Sequence, residues 1–326
     1  MQRRRNRFNS SLFAAALLAA ALEAPAAERP GTLNSAGLSV RMLYPGLTGR
    51  SGSCEQDTSF SPAGRKVDSW RLAIIGGTLV TGMAAIHIYQ QNGWWKDNRA
   101  PFHFREDLVY GLGVDKIGHA YGASVLATLI GRAVAWADVP EWPSLMIGAG
   151  ASLLFQTYIE LEDGFSAWGF DRVDFACDVA GAVLPLVRHR VTPLRSFDLK
   201  LSYLPSELIN NPGGTGFQGQ RHLMMDDYEG QTFWLSAKMA DLLPQSLKTY
   251  WPDFLCLAIG YGARDVAAQG SEPYRVYFLG LDYDMTKLLP QETPFLRTLA
   301  EALNFIHFPA PAVRISPSAI WYGLYF

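Results

Sequence analysis

The hydrophobic pattern of the chain changes near residue 195. Before that point four long apolar runs predict helices, and the first has no Asp, Glu, Lys or Arg from Leu72 to Trp95. Each run is either a little short or interrupted in comparison with a spanning helix, which needs ~20 apolar residues. We expect membrane-embedded or membrane-associated helices, with a buried soluble bundle as the alternative. Small residues recur at the spacing that lets helix backbones approach closely, namely Gly118, Gly122, Ala123, Ala127, Gly148, Gly150 and Ala151.

Beyond residue 195 the pattern alternates with a period of two. Five aromatic and β-branched segments predict strands: "FDLKLSYL", "QTFWLSAK", "DFLCLAIGYG", "YRVYFLGLDYD" and "AIWYGLYF". In the third segment large apolar residues take one face and small residues the other, which is typical of a sheet packed hard on one side or facing lipid. The large ones are Leu255, Leu257, Ile259 and Tyr261. Two further segments, "MADLLPQSLKTY" and "TPFLRTLAEALNFI", have the pattern of amphipathic helices.

Together these elements predict an α+β protein. Its parts are a compact four-helix, membrane-associated core and a C-terminal antiparallel β-rich extension with amphipathic helices. The terminal Phe326 and its alternating apolar neighbours are typical of the last strand of outer-membrane barrels. The predicted strands are too few to close an independent barrel of eight, so we favour the open arrangement.

The N-terminus has the composition of a secretory signal peptide. "MQRRRNR" is the positive segment, "SSLFAAALLAAAL" the apolar segment and "APAAE" a cleavage site around Ala26 or Ala27, with an uncleaved anchor as the alternative. We divide the chain into a signal peptide (1–27), a flexible leader (28–69), a helical core (70–192) and a β-rich region (193–326). The expected location is the periplasmic side of a bacterial cell envelope. The outer membrane or the periplasm is favoured, and the inner membrane stays open.

The composition favours contact with lipid. Hydrophobic residues make up 49% of the 326, and charged residues only 18%, below the roughly 25% usual in soluble chains. We therefore expect membrane lipid as a partner, and protein partners stay open. A net charge of −2 offers no basic surface for nucleic acid. The three cysteines, Cys54, Cys177 and Cys256, lack metal-binding spacing.

Ionisable residues lie at the mouth of the second apolar run, in "GVDKIGHAYG". On a helix, Asp115 and His119 are four apart and share a face, while Lys116 points to the side. At the end of the third helix, Glu160 and Asp163 are three apart and share a face as well. Two helices therefore each present a carboxylate face.

The fourth helix carries an acidic stripe formed by Asp171, Asp174 and Asp178. Acidic groups in apolar helices cost ~2.5–3.5 kcal/mol each on insertion scales, so they persist when they pair, bind a cation or face water. If the three faces meet, the donor set suits a divalent cation held by oxygens and one imidazole. Lys116 would then balance the negative charge or hold an anionic headgroup. The predicted metal ligands are Asp115, His119, Glu160, Asp163, Asp174 and Asp178. The predicted catalytic residues, for acid–base or Lewis-acid chemistry, are Asp115, Lys116, His119 and Glu160.

The same residues also fit a purely structural network. Asp115 would cap its helix, and Lys116 would extend along the apolar surface to reach water. The imidazole would bond a carboxylate, and Asp171 would cap the fourth helix. His103 and Asp107 in "FHFRED" are weaker candidates for the same site.

Three segments, "DKIGHAYGAS", "ELEDGFSAWGF" and "DRVDFACDVAGA", resemble the YfiM-like family of predicted periplasmic lipoproteins, whose role is uncharacterised. The resemblance covers roughly residues 70–326 and implies an envelope location and a four-helix core with a C-terminal extension. It marks Asp115, Lys116, His119, Glu160, Asp163, Asp174 and Asp178. The core also resembles, more distantly, the VanZ-like membrane proteins. A lipoprotein needs a cysteine just after its signal peptide, whereas Cys54 lies well downstream.

These observations leave three hypotheses for function. The first is a non-enzymatic envelope protein whose buried Asp/Lys/His/Glu cluster is structural or scaffolding. The second is a membrane-site enzyme or metal-dependent binder that acts on a lipid or cell-wall intermediate. The third is an outer-membrane β-structure protein, in which the C-terminal strands are the functional part.

Overall fold

A computed structural model describes residues 66–326 except 93, 94, 97, 207, 208, 210–223, 226 and 267–271. The predicted signal peptide, nearly all of the predicted leader and Cys54 lie outside the described residues. Within the described part, helices come first and an antiparallel sheet of six strands follows. The α+β class predicted from the sequence is therefore confirmed.

Four long helices form the first half of the described chain. They are α1 Ser69–Asn92, α2 Val114–Trp136, α3 Glu141–Gly164 and α4 Arg172–Arg190. The core of this bundle lies between α2 and its neighbours, whereas α1 buries only Ile75. Among the described residues, α1 is the one helix whose length and apolar composition suffice to cross a membrane. The membrane-embedded bundle expected from the sequence stays a prediction.

Glycines determine how closely the helices of the bundle approach each other. A Cβ added at Gly148 of α3 would overlap the backbone of α2. One added at Gly181 of α4 would overlap the carbonyl oxygen of Ala120 in α2. Only glycine permits this contact. Because Ala120 follows His119 and Gly181 lies one turn beyond Asp178, the contact brings these two side chains together.

Gly181→Ala is expected to lower the free energy of unfolding by about 1–3 kcal/mol, because the added Cβ must push α4 away from α2. Gly122→Ala in α2 is the matched control, since an added Cβ there has no neighbour within 4 Å. This control is expected to leave stability unchanged or raise it by up to about 1 kcal/mol. Urea unfolding of both variants measures the difference, and equal stabilities would contradict the proposed close contact. Gly122 and Gly150, expected to pack closely, are open positions instead.

The sheet follows the order of its strands in the chain, β1-β2-β3-β4-β5-β6. The strands are β1 Phe197–Tyr203, β2 Gln231–Lys238, β3 Leu255–Arg264, β4 Tyr274–Tyr283, β5 Ala310–Ser316 and β6 Ile320–Tyr325. The sequence prediction lacked β5, because Pro311 interrupts its alternating pattern near the start, a position where a strand tolerates proline. Short helices connect the strands: α5 Met239–Leu242, α6 Gln245–Lys248, α7 Met285–Leu288 and α8 Pro294–Leu303.

One face of the sheet, here called the inner face, is buried. Trp234, Ala258, Phe278 and Ala312 form its apolar core, with Tyr325 packed against them. The small residues of β3 lie on this inner face, and the large ones lie on the outer face. The alternation predicted for β3 is therefore confirmed, with the small side chains on the buried side.

The inner face also holds a charged group that the sequence did not single out, here called the strand cluster: Lys200, Asp282 and His307. All three residues are fully buried. Lys200 Nζ lies 2.7 Å from Asp282 Oδ2 and donates to the carbonyl oxygen of Tyr283 at 2.7 Å. His307 Nδ1 lies 3.1 Å from Asp282 Oδ1, and its ring stacks on Trp234 at 3.9 Å. The cluster joins β1, β4 and the segment that precedes β5.

Helix α2 packs against one corner of the outer face. Val114, Phe233 and Ala263 form a buried apolar contact there. The hydroxyl of Tyr121 donates to the carbonyl oxygen of Phe305 at 2.9 Å. The start of α2, with its ionisable residues, is therefore held against the sheet.

Candidate functional site

The candidate site is a group of ionisable residues on α2, α3 and α4 and at the N-cap of α4, here called the helix cluster: Asp115, Lys116, His119, Glu160, Asp163, Asp171, Asp174 and Asp178.

The first residues of the helix cluster follow a tight turn. Gly111 and Gly113 have positive φ, as does Leu112 between them. This left-handed turn, which favours glycine, ends where α2 begins. The first turn of α2 then lies beside α4.

Lys116 lies inside the helix cluster, against three carboxylates. Its Nζ is 2.9 Å from Asp171 Oδ2, 2.9 Å from Asp174 Oδ2 and 3.1 Å from Asp115 Oδ2. Lys116 therefore contacts carboxylates whose charge it can balance, as one interpretation of the sequence expected, and the alternative in which it extends into water is wrong. Burial alone would lower the pKa of Lys116, but these carboxylates outweigh burial and raise it.

His119 lies between two sets of carboxylates. Its Nδ1 is 3.1 Å from Asp178 Oδ1 and 3.7 Å from Glu160 Oε1. Its Nε2 is 3.8 Å from both Asp115 Oδ1 and Asp174 Oδ2. The imidazole is 22% exposed, so solvent reaches one side of it. Each ring nitrogen therefore faces its own pair of carboxylates.

Three neutral side chains complete the surroundings of the helix cluster, and the sequence indicated none of them. Gln156 of α3 donates to Asp178 Oδ1 at 2.8 Å. Tyr228, which precedes β2, donates to Asp115 Oδ1 at 2.8 Å. Trp95 donates its indole N–H to Asp163 at 2.6 Å. Only Gln156 carried a usable signal, because it lies one helical turn before Glu160 on the same face.

Asp171 caps α4, as the structural interpretation expected. Its Oδ1 accepts from the backbone N–H of Val173 at 2.7 Å and of Asp174 at 3.4 Å. Its Oδ2 accepts from the backbone N–H of Asp107 at 2.9 Å. Burial would raise the pKa of Asp171, but Lys116 and these N–H groups lower it.

Burial raises the pKa of three carboxyl groups in the helix cluster. The pKa of Glu160 is raised to about 8, that of Asp163 to about 7 and that of Asp174 to about 6, with neighbouring carboxylates adding to the effect. Burial would lower the pKa of His119, but the hydrogen bond that its ring donates to Asp178 and the nearby negative charges raise it to about 10. The folded helix cluster therefore holds protons more tightly than the unfolded chain does.

The stability of the protein in EDTA is expected to fall as pH rises between about 5 and 10. A group whose pKa is raised by folding contributes its full stability below its unfolded pKa, and that contribution is lost as pH rises through the folded pKa. Each extra proton bound by the folded state gives a slope of about 1.4 kcal/mol per pH unit. Urea unfolding at a series of pH values measures the slope. Glu160→Gln should reduce it between pH 5 and 8 and the control Glu162→Gln should not, while a flat profile in the unmodified protein would contradict the prediction.

Two groups of donor atoms in the helix cluster are close enough to hold a metal ion. One contains Asp115, His119 and Asp174, and the other contains His119, Glu160 and Asp178; within each group the atoms lie within 4.8 Å of one another. Asp163 belongs to neither group and instead accepts the Trp95 hydrogen bond. The six predicted ligands are thus brought to one region, and five of them form two groups that share His119.

The weaker sequence candidates lie beside the helix cluster. The His103 ring contacts the carbonyl oxygen of Pro101 at 3.1 Å, and Asp107 contributes its backbone N–H to Asp171. Cys177 is half-buried and Cys256 is buried, and both are free thiols. None of these side chains belongs to the two donor groups.

Comparison with known proteins relates part of the chain to a described family. A model of the family described as predicted periplasmic lipoprotein (DUF2279) matches residues 103–190, the stretch that contains α2, α3, α4 and the whole helix cluster. No curated protein and no solved structure matches the chain. The family description fits a cell-envelope, periplasmic protein of unknown role. The match is shorter than the resemblance expected from the sequence, and the YfiM-like and VanZ-like resemblances stay predictions.

Proposed function

We propose that the protein is a membrane-attached cell-envelope protein whose helix cluster binds one divalent cation. The observation that carries the proposal is Asp178, which is fully buried and whose Oδ2 has no hydrogen-bond partner among the described residues. A buried, half-satisfied carboxylate is costly unless a cation or a proton compensates it. The helix cluster contains six carboxyl groups against one lysine and one imidazole, so a cation fits its charge.

The cation is placed on the Nδ1 side of His119, with Glu160 and Asp178. On the Nε2 side, the ammonium group of Lys116 already lies 2.9 Å from Asp174 Oδ2, and its positive charge repels a cation. With Nδ1 on the cation, Nε2–H points at Asp115 and Asp174. This is the usual arrangement in which a carboxylate orients a metal-bound histidine. One nitrogen and two or three oxygens suit Mn²⁺ or Zn²⁺.

Calorimetric titration of EDTA-treated protein with Mn²⁺ and with Zn²⁺ tests the cation site. We expect one site, and Glu160→Gln should weaken it at least 100-fold because a ligand is lost. Asp115→Asn should weaken it about 10- to 100-fold, as expected for a residue that orients a ligand.

Glu162→Gln is the matched control for this titration. Glu162 lies two residues along α3, on a different face, and pairs with Arg99 at 2.8 Å. Its replacement should leave the affinity unchanged. Equal affinities in Glu160→Gln and the unmodified protein, or no binding by the unmodified protein, would rule out the cation site.

A second candidate function is a structural network without a cation. Lys116 favours it, because one ammonium group contacts three carboxylates and ties α2 to α4. In that case saturating Mn²⁺ or Zn²⁺ should leave the urea midpoint unchanged. A cation that binds only the folded state raises stability by about 2.7 kcal/mol at 100 times its dissociation constant, so the two candidates give distinct results.

Enzymatic turnover would be a further step beyond cation binding. A cation held by three protein ligands would keep a further position for water or substrate, as in catalytic metal sites. Such a cation would act as a Lewis acid on a lipid or cell-wall intermediate. Hydrolysis that requires added cation and is lost in Glu160→Gln would support this role.

Membrane attachment is assigned to α1, which has apolar residues around most of its circumference and leaves Trp70, Val80 and Ile88 exposed. A charge at the centre of a spanning helix costs about 2.5–3.5 kcal/mol. Val80→Glu should therefore increase extraction of the protein from membranes by alkaline carbonate. The control Gln91→Glu, near the end of α1, should not. Equal extraction of the two variants would contradict the assignment.

A further inference from the structure

The outer face of the sheet carries an uninterrupted apolar row. The strand register places one residue from every strand directly beside the next. In order from β1 to β6 the row is Leu199, Leu235, Ile259, Leu279, Val313 and Trp321. An adjacent row contains Ala237, Leu257 and Leu281. Neither row contains a charged side chain, and every member except Trp321 is aliphatic.

The middle and far end of this row are exposed. The exposed fractions are 50% for Leu235, 58% for Ile259, 51% for Leu279 and 67% for Trp321. Helix α2 covers only the neighbouring corner at Phe233. A contiguous exposed apolar surface of this kind marks a contact with protein or membrane.

The polarity of the sheet differs from that of a sheet with one face in water, because the exposed outer face is apolar here and the inner face holds charged residues beside its apolar core. An antiparallel sheet with one wet face normally buries its apolar residues and exposes its polar ones. Here Lys200 and Asp282 lie on the buried inner face, whereas the aliphatic row lies outside. The backbone groups of β2 to β5 are paired on both sides within the sheet, so this part of the surface needs no water.

We propose that the outer face of the sheet lies against the hydrocarbon of a lipid bilayer. This proposal rests on the proposed membrane attachment, because α1 is what brings the sheet to a bilayer. The sheet lies on the membrane and does not span it, because β1, β5 and β6 have only six or seven residues. A spanning strand needs about 9–11 residues. Trp321, at the end of the row, fits the interfacial region that tryptophan prefers.

Tryptophan quenching by brominated lipid tests this contact. The full chain is reconstituted in vesicles of phosphatidylethanolamine and phosphatidylglycerol, with and without bromine on the acyl chains near the headgroup. Bromine-dependent quenching should fall measurably in Trp321→Phe relative to the unmodified protein. Trp234→Phe is the control, because Trp234 lies fully buried on the inner face. Its loss should leave unchanged the amount of tryptophan emission that brominated lipid quenches.

A second pair of variants tests the row without changing a tryptophan. Ile259→Glu together with Leu279→Glu should reduce bromine quenching of Trp321 at least twofold, because two charges would have to leave the hydrocarbon. Leu247→Glu, an exposed apolar position outside the sheet, should leave the quenching unchanged.

Two results would overturn the proposal. If Trp321→Phe keeps all of the bromine quenching while the protein still floats with the vesicles, α1 holds the membrane and the sheet does not touch it. If Trp321 is shielded from both brominated lipid and acrylamide, and the detergent-solubilised protein sediments as a dimer, a second copy covers the face. In both cases the attachment by α1 would still stand.

Discussion

Lys200→Met is expected to lower the free energy of unfolding by about 3–5 kcal/mol. Lys200 and Asp282 are fully buried, so removal of the ammonium group leaves a carboxylate without its closest positive partner. The replacement has similar volume, which keeps the loss of packing small. Urea unfolding measures the change, and Lys287→Met, at an exposed position, is the control that should stay within about 0.5 kcal/mol.

A double variant separates the charge from the packing. Lys200→Met combined with Asp282→Asn removes both charges, and it should recover a substantial part of the stability lost in Lys200→Met alone. Equal stability of the single and double variants would show that the lysine side chain acts through packing and not through its charge.

The strand cluster also predicts a response to acid. Burial would raise the pKa of Asp282, but the His307 hydrogen bond and Lys200 outweigh burial and lower it to about 2. A lowered folded pKa contributes stability above the unfolded pKa, and this is lost as pH falls through the folded value. About 2 kcal/mol should therefore be lost between about pH 4 and pH 2. The difference between Lys200→Met and the unmodified protein should shrink over the same interval.

Lys116→Met is the second large effect, with an expected loss of about 3 kcal/mol in EDTA at neutral pH. Three carboxylates would then face one another without the ammonium group between them. If the helix cluster binds a cation, Mn²⁺ or Zn²⁺ should bind Lys116→Met more tightly than the unmodified protein, because a repelling charge is gone. Lys66→Met, at an exposed residue, is the control for both measurements.

Chemical denaturation and calorimetry of Lys116→Met separate the two proposed roles of the helix cluster. Tighter cation binding with recovered stability supports the cation site. A stability loss that no cation recovers supports the structural network. A loss below about 0.5 kcal/mol would show that the three contacts of Lys116 contribute little to folding.

The sequence predicted the helix cluster because helical spacing is a local property. Asp115 and His119 lie four apart, and Asp174 and Asp178 do the same on α4, so each pair must share a helix face. Burial of these carboxylates without partners would cost several kcal/mol each. We therefore expect the carboxylate faces of the helices to meet. The glycine at position 181 then allows α2 and α4 to approach closely.

Periodicity could not predict which way long side chains turn or which face of a strand is buried. The sequence left two positions open for Lys116, one in water and one among the carboxylates, and its flexible stem lets the ammonium group turn into the helix cluster. The alternation of β1 marked Asp198, Lys200 and Ser202 as one face, and such a polar face is normally the wet one. The partners that make it a buried face, Asp282 and His307, come from distant segments.

By itself, the sequence determined the order of the four long helices and of five of the six strands, the alternation within those strands and the carboxylate faces of α2, α3 and α4. These features depend on neighbours a few residues apart. The tertiary structure alone decided that His119 has two sets of carboxylates, that Tyr228 reaches Asp115, and that the charged face of the sheet is the inner one. Those outcomes depend on register and packing between residues far apart in the chain, which no local pattern encodes.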